Sequence, residues 1–332
     1  MRDAVHRLLP GLRGTSWQGG TDVRLASATL LPMPPANTAN LAICIDTMVD
    51  GVHFDERTSP ADLGYKSLAV NLSDIAAMGA RAHAASLSLC APPELVRGRW
   101  LDEFAQGLLS LADEHSVLWR GGAVRTGPLN VTVEVLALSP AKSLRRDAAR
   151  VGDSLYVSGT LGDAGCALTE DLSGLSSQDQ AFLRSRLLRP IPRLALAQAI
   201  GPYANAGIDL SDGIASDIHH VTRASNVSAV IHTGALPLSP AMQRCVDSDA
   251  ARRYALCAGD DYELLLSVPQ CHRNAAQQAA QAAGCPLTLI GSITEPTDCE
   301  HVSSSTARAR SVTWLDASGS PTEVGAGYTH FE

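Results

Sequence analysis

The 332-residue sequence lacks several features that would assign it to a common class of protein. No apolar run is long enough to cross a bilayer, and its eight cysteines include no Cys-x-x-Cys pair. We therefore expect no membrane partner, and we interpret the cysteines as ordinary thiols rather than as a zinc site or a disulfide framework. Aromatic residues make up only 4% of the chain, so its core must consist mainly of Ala, Leu, Val and Ile.

Basic charge is also scarce, with 26 Lys and Arg against 34 Asp and Glu and a net charge of -8. A nucleic-acid binder needs a basic face, so we expect no nucleic-acid partner. Polyphosphate ligands are not excluded, because bridging Mg²⁺ can supply positive charge. The Gly-x-x-x-x-Gly-Lys-Ser/Thr loop, the most common phosphate-binding motif, is absent. The first ten residues are charged throughout and lack the apolar stretch of a signal peptide, which predicts a cytoplasmic location.

The length predicts two domains, because a single core rarely extends over so many residues. A joint at 142–152 divides the chain into an N-terminal domain, 1–140, and a C-terminal domain, 141–332. Strand and helix patterns alternate in both halves, which favours an α/β or α+β fold. In the first half we expect strands at 41–49, 84–90, 117–120 and 130–138 and helices at 59–79 and 93–115. In the second half we expect strands at 155–158, 206–210, 227–232, 263–268 and 287–293 and helices at 164–172, 178–188, 193–200, 213–224, 239–250 and 270–283.

Aspartates lie inside or at the ends of several of these apolar elements. Asp46 ends a strand and is followed by Thr47, Asp74 lies in the last turns of a helix, and Asp209 and Asp212 flank a strand-to-helix turn. Carboxylates rarely occupy such positions unless they are paired, hydrogen-bonded or bound to a cation. The set suggests hard-metal chemistry on phosphates. Plainer alternatives remain open, namely a turn at Asp46, a solvated acid at Asp74 and a helix cap at Asp212.

Four other features are candidates for binding. The helix that follows Ser211 can bind phosphate at its N-terminus, and Gly121-Gly122 is interpreted as a loop that allows close approach of the backbone. Asp260 and Asp261 precede a strand, where they could also form a plain polar turn. His53 follows the acidic turn at Asp50, where a structural role is equally open.

In their order and spacing, these segments resemble the thiamine-monophosphate kinase family, which belongs to a superfamily that includes aminoimidazole-ribonucleotide synthetase and selenophosphate synthetase. The resemblance extends from about residue 41 to 331. It is carried by DTMVDGVHF at 46–54, GYKSLAVNLSDIAAMG at 64–79, GD at 152–153, VSGTLGDA at 157–164, IDLSDG at 208–213, GDDYELL at 259–265 and GYTHF at 327–331.

The resemblance implies two α/β domains, with the N-terminal domains of two subunits pairing through their sheets in a homodimer. It implies ATP bound near that interface, a small-molecule phosphate acceptor in a cleft between the domains, and Mg²⁺ bridging the phosphates. The reaction implied is transfer of the γ-phosphoryl group of ATP to thiamine monophosphate. The implied metal ligands are Asp46, Thr47, Asp74, Asp209 and Asp212, with Asp209 and Asp212 catalytic. Nucleotide contacts are Gly121, Gly122, Arg146 and Ser211, and substrate contacts are His53, Asp260 and Tyr328.

The sequence departs from the family pattern at several of these positions. The acidic pair near the N-terminus is reduced to Asp22, which we retain as a candidate metal ligand. The family's Gly-Gly-Asp-Thr loop has Ala123 in place of its aspartate. Asp260 replaces a glutamate, and Tyr328 replaces a frequent tryptophan. Two alternatives follow: a related ATP-dependent enzyme with another small-molecule acceptor, or a weakened or non-catalytic nucleotide-binding homologue.

Overall fold

The computed structural model of the chain describes residues 40–296, 311–325 and 327. These residues form two compact units. The first contains residues 40–75 and 80–141, and the second contains 76–79 and the described residues from 142 onward. None of the described helices combines the length and the apolar character needed to cross a membrane.

The first unit is built on a four-stranded sheet in the order β1-β4-β2-β3. Its strands are β1 (Asn40–Val49), β2 (Arg81–Ala91), β3 (Leu118–Thr126) and β4 (Asn130–Ser139), and the helices in this part of the chain are α1 (Pro60–Ala77), α2 (Pro93–Arg97) and α3 (Trp100–Glu114). β4 runs antiparallel to both β1 and β2, whereas β3 runs parallel to β2. Alternate residues of β4, from Val131 to Ala137, are completely buried, so one face of the sheet contributes to the core.

The helices α1 and α3 present apolar stripes to this core. Leu68, Leu72 and Ile75 on α1 are completely buried, at the spacing of one helix face. Ser59 starts α1 by accepting a hydrogen bond from the amide of Asp62 (3.1 Å). The two helices approach closely at glycines: a Cβ at Gly107 would lie 1.8 Å from the carbonyl oxygen of Ala61. Only glycine fits at this crossing.

The second unit contains a six-stranded sheet in the order β10-β7-β9-β5-β8-β6. Its strands are β5 (Ser154–Ser158), β6 (Ala206–Leu210), β7 (Ser228–His232), β8 (Glu263–Val268), β9 (Leu287–Thr294) and β10 (Val312–Leu315). Its helices are α4 (Asp163–Thr169), α5 (Ser177–Leu188), α6 (Leu194–Ile200), α7 (Ile214–Ser225), α8 (Pro240–Cys245), α9 (Ser248–Cys257) and α10 (Arg273–Ala282), with short 3₁₀ helices at Leu172–Gly174, Thr233–Ala235 and Gln270–His272. Every residue of β5, β6 and β8 is buried, so these three strands form the centre of the core.

Most predicted elements are confirmed, but three expectations about continuity were wrong. The helix predicted at 93–115 is two helices, α2 and α3, because the chain is extended at Gly98. The helix predicted at 239–250 is also two, since the carboxylate of Asp247 accepts the amide hydrogens of Asp249 and Ala250 and starts α9. The strand predicted to end at Arg120 continues through the glycines to Thr126.

Candidate functional site

In the first unit, Asp46 and Thr47 lie near the end of β1, opposite Val133 and Thr132 of β4. Both side chains are exposed. The hydroxyl oxygen of Thr47 lies 2.8 Å from that of Thr132, and the amide of Thr47 donates to Oδ1 of Asp46 (3.2 Å). This strand end therefore presents a carboxylate and hydroxyl groups side by side, which are oxygen donors of the kind that Mg²⁺ prefers.

Asp74 lies in the last turn of α1 and is half-buried. The thiol of Cys44 on β1 donates to the carbonyl oxygen of Asn71 on α1 (3.3 Å), which joins the strand to the helix. Cys44 and Asp46 project from the same strand face, and Asn71 and Asp74 from the same helix face. Asp46 and Asp74 thus lie on facing surfaces of the unit. The negative end of the helix dipole disfavours Asp74, so a bound cation would stabilise it.

His53 belongs to the turn that follows β1. Its Nδ1 accepts a hydrogen bond from the amide of Val49 (3.1 Å), and a bridge between Asp50 and Phe54 closes the turn. Because Nδ1 is an acceptor, the neutral imidazole carries its proton on Nε2. One ring nitrogen of His53 thus has a structural role, while the ring itself is exposed.

Gly121 and Gly122 lie inside β3, which corrects the expectation of a loop after the strand. Between its pairs with Ala85 and Leu87, β3 contains one residue more than β2, so it bulges there. A Cβ at Gly122 would lie 2.2 Å from the carbonyl oxygen of Leu87. The main chain at Gly122 is therefore in close contact with another main chain, as expected, but the segment it contacts is the neighbouring strand β2. Ala123 follows in register with Ser88, and its methyl side chain supplies no oxygen ligand.

In the second unit, β6 leads directly into α7 and places acidic side chains on both sides of the turn. Asp209 lies on β6 opposite Leu264 and is almost completely buried. Ser211 and Asp212 are half-buried in the turn, and the amide of Asp212 donates to Oδ2 of Asp217 (3.1 Å). The turn and the first turn of α7 therefore form one acidic cluster.

Two members of this cluster were missed from the sequence, Asp217 and His220. Ligand atoms of Asp212, Asp217 and His220 all lie within 4.8 Å of one another. Burial, followed by the charges of Asp212 and Asp209, raises the pKa of Asp217 to about 8. The spacing of Asp217 and His220, three residues apart at the start of a helix, is the signal that could have identified them.

Arg146 is attached to the C-terminal end of α7. Its carbonyl oxygen accepts a hydrogen bond from Ser225 of α7 (2.7 Å), and its side chain is exposed. Burial and then the charge of Arg146 lower the pKa of His220, whereas the charge of Asp212 raises it. The charge of Arg146 therefore acts on His220, a member of the cluster, from a main chain attached to the C-terminal end of α7. A guanidinium group whose charge reaches a group of carboxylates is suited to phosphate and a divalent cation.

The loop before β8 packs against the same turn. The amide of Asp260 donates to the carbonyl oxygen of Ser211 (2.9 Å), and Tyr262 donates its hydroxyl hydrogen to Oδ1 of Asp260 (2.9 Å). Gly327 also reaches the turn, since a Cβ there would lie 2.6 Å from the carbonyl oxygen of Asp212. The candidates Asp22 and Tyr328 lie outside the described residues.

The donor set of both units fits a hard divalent cation. Carboxylate and hydroxyl oxygens predominate, and Mg²⁺ binds such ligands in preference to sulfur or nitrogen. The like charges around Asp217 also favour a cation, because a neighbouring positive charge offsets their repulsion. The carboxylate and hydroxyl groups of these residues therefore fit Mg²⁺. Their positions, at the end of β1 and at the turn between β6 and α7, favour contact with phosphate groups.

Both halves of the chain match models of known protein domains. The model of the N-terminal domain of AIR synthase related proteins matches residues 27–139, and the C-terminal domain model matches residues 150–302. The chain is 43% identical over 266 residues to a thiamine-monophosphate kinase of Salmonella typhimurium strain LT2, covering 79% of this chain and 81% of the relative.

Solved structures give the same result. A thiamine-monophosphate kinase from Stenotrophomonas maltophilia K279a is 37% identical with a TM-score of 0.75, and the match covers 84% of this chain and 86% of that one. A structure named AaThiL complexed with AMPPCP and TMP is 29% identical with a TM-score of 0.73, over 88% and 87% of the two chains. These matches confirm the two-domain α/β fold expected from the sequence.

The raised pKa of Asp217 predicts how the stability of the metal-free protein depends on pH. An aspartate titrates near pH 4 when unfolded and near pH 8 in the folded state. Between those values the folded protein holds the extra proton, so its free energy of unfolding falls as the pH rises. We expect Asp217→Asn, which imitates the protonated side chain, to reduce this fall in urea denaturation with a chelator present.

The matched control is Asp249→Asn, a change at an exposed aspartate on α9. It should leave the pH dependence of the parent intact. A stability difference between the parent and Asp217→Asn that stays constant from pH 4 to pH 8 would contradict the shift.

Proposed function

This chain belongs to the thiamine-monophosphate kinase family, and from that premise we propose that it transfers the γ-phosphoryl group of ATP to thiamine monophosphate. The products are thiamine diphosphate and ADP. The observation that carries the proposal is the cluster of Asp212, Asp217 and His220 at the start of α7. The charge of Asp209 acts on Asp217, and that of Arg146 acts on His220. Membership of the family, which the sequence motifs predicted, is confirmed by the relatives at up to 43% identity.

The residues of the first unit bind metal and nucleotide in this proposal. Asp46, Thr47 and Asp74 supply oxygen ligands, with Asp22 as a further candidate. Gly121 and Gly122 contact the nucleotide through the main chain. Bound Mg²⁺ supplies positive charge that neutralises the phosphate oxygens and the charge developing on the transferred group. We assign ATP binding, metal binding and dimerisation to residues 1–140.

The residues of the second unit hold phosphate and acceptor. Asp209 and Asp212 are metal ligands and the catalytic carboxylates, because they fix the geometry in which charge is neutralised. Ser211 contacts phosphate at the N-terminus of α7, where amide groups and the helix dipole favour an anion. Arg146 contributes a fork of donors that matches phosphate oxygens.

The acceptor is recognised, in this proposal, by Asp260 and Tyr328 and by His53. Asp260 is held by its hydrogen bond from Tyr262, so its carboxylate has a defined direction. We assign acceptor recognition to residues 141–332, together with His53. The assay described below also tests the alternative acceptors suggested by the sequence.

A homodimer is the proposed assembly. Among the described residues, β1 lies at one edge of its sheet, with Leu41, Ile43 and Ile45 exposed by 44%, 59% and 66%. An apolar edge strand of this length is prone to pair with another chain. A second copy packed against this row would cover these side chains. The cytoplasmic location expected from the sequence stays a prediction.

The function is tested by incubating the purified protein with ATP, Mg²⁺ and thiamine monophosphate. We expect thiamine diphosphate and ADP in equal amounts, because the reaction transfers one phosphoryl group. Asp74→Asn should lower kcat by about a hundredfold or more, since a ligand charge is lost where transition-state charge is neutralised. Product formation followed by chromatography gives the measurement.

Asp102→Asn on α3 is the matched control, because this aspartate is exposed and has no assigned role. It should retain the activity of the parent. Absence of thiamine diphosphate at high enzyme concentration would refute the proposed function. ADP release with another phosphorylated acceptor would then indicate a different substrate, and nucleotide binding without turnover would indicate a non-catalytic homologue.

The dimer is tested by Ile43→Lys, which places a charge in the centre of the exposed apolar row. We expect the parent to have the mass of a dimer and the variant that of a monomer, because the charge would be buried without a partner. Light scattering coupled to size-exclusion chromatography measures both masses. Leu289→Lys changes a similarly exposed residue, 43%, on β9 of the second unit and should remain dimeric. Equal masses for the parent and Ile43→Lys would argue against pairing through β1.

A further inference from the structure

Glu263, the first residue of β8, is a completely buried carboxylate. Its Oε1 accepts a hydrogen bond from Nη2 of Arg186 (2.9 Å), and its Oε2 accepts one from Nε of Arg193 (2.7 Å). Ser158, at the end of β5, also donates to Oε2. Burial alone would raise the pKa of Glu263, but the hydrogen bond from Arg193 and the charges of both arginines outweigh it and lower the pKa. The side chain is therefore an ionised carboxylate between two guanidinium groups.

The two arginines connect this carboxylate to separate parts of the unit. Arg186 lies in the last turn of α5, and Arg193 immediately precedes α6. Nη2 of Arg186 also donates to the carbonyl oxygens of Thr160 and Asp261, each at 3.2 Å. One guanidinium group thus joins the loop after β5 to the loop before β8. These loops belong to VSGTLGDA and GDDYELL, two of the motifs that carry the family resemblance.

The loop before β8 has a strained backbone. Asp260 and Tyr262 have φ angles of 59° and 49°, in the left-handed region that a bulky side chain such as that of tyrosine rarely adopts. Such conformations persist only where the surroundings enforce them, and they occur preferentially at functional sites. Here the enforcing contacts include the hydrogen bond from Arg186 to the carbonyl oxygen of Asp261, the residue between them.

The strained loop is also bonded to the turn after β6. The amide of Asp260 donates to the carbonyl oxygen of Ser211 (2.9 Å), and the amide of Tyr262 donates to that of Leu210 (2.8 Å). The main chain of the loop is therefore bonded to the two residues that directly precede Asp212. The contacts form a continuous route from the buried ion cluster to three residues of the proposed site.

We propose that Arg186, Glu263 and Arg193 are positioning residues that fix the main chain at 260–262 and thereby the placement of Asp260, Ser211 and Asp212. This inference rests on the proposed function, in which those three residues contact acceptor, phosphate and metal. Phosphoryl transfer depends on alignment to within a fraction of an ångström, and Mg²⁺ tolerates little distortion of its ligands. Nη2 of Arg193 also donates to Oε1 of Glu263, so the two side chains form a forked pair that supplies orientation as well as charge.

The test is Arg193→Lys, which keeps a positive charge beside Glu263 but loses the fork. The matched control is Arg244→Lys. Arg244 makes the same kind of forked pair with Asp179, with Nε 2.9 Å from Oδ2, at the other end of α5. Both variants are compared with the parent for thermal melting, for hydrogen exchange at the amides of Asp260 and Tyr262, and for steady-state kinetics.

For Arg193→Lys we expect exchange at both amides to accelerate, kcat/KM for thiamine monophosphate to fall by about tenfold or more, and half-saturation by Mg²⁺ to require a higher concentration. Arg244→Lys should leave all three close to the parent. Unchanged exchange at Asp260 and Tyr262 would overturn the proposal. It would also be overturned by faster exchange with kinetics equal to those of Arg244→Lys, since that result indicates a purely structural cluster.

Two further experiments cover the cases in which Arg193→Lys does not fold or the parent protein does not convert thiamine monophosphate. If Arg193→Lys does not fold, Ser158→Ala replaces it, because this change removes one donor to Glu263 and leaves both arginines; the same direction of effect is expected. If the parent itself does not convert thiamine monophosphate, the proposed function fails independently. Exchange at the two amides, with Mg²⁺-dependent ATP binding by calorimetry in place of kcat/KM, then decides whether the cluster positions the turn.

Discussion

Burying a carboxylate among apolar strands is unfavourable unless positive charge and hydrogen bonds compensate it, and Glu263 meets this condition with two arginines and a serine. Removing one partner from such a cluster typically destabilises a protein by about 3–5 kcal/mol, because the remaining charge stays buried. The partners come from a strand end, a helix end and an inter-helix connection. The interactions that stabilise this buried charge therefore also hold together three parts of the chain that are far apart in sequence, namely the end of β5, residues 186–193 and the start of β8.

Elements with strong local signals could be predicted from the sequence. The helical spacing of Leu68, Leu72 and Ile75 and the cap at Ser59 located α1, and a short apolar run before Ser211 located β6. Gly121 and Gly122 were misinterpreted because glycine pairs usually mark loops. The requirement for glycine at position 122 comes from Leu87 on the neighbouring strand, a contact that no local pattern reveals.

The residues of the candidate site also comprise some that the sequence predicted and some that it did not. Asp209 and Asp212 stood out because they flank a turn between two predictable elements, and the family motifs suggested their roles. Asp217 and His220 were missed because their proximity to Asp212 depends on how the first turn of α7 folds back over the preceding turn. A pattern of carboxylates predicts metal and phosphate, whereas the choice of acceptor depends on contacts that only the folded chain defines.

The pairing of β1 with β4 limits how the chain can vary in length. Ten consecutive residue pairs, from Asn40 with Ser139 to Val49 with Asn130, follow one another without a bulge. A slip of one residue would turn Asp46 to the opposite face of the sheet and bring Ile45 into its place. The register of β1 against β4 thus fixes the position of the Asp46 carboxylate in the sheet. An insertion or deletion between residues 40 and 49 would remove that carboxylate from its position even if the fold survived.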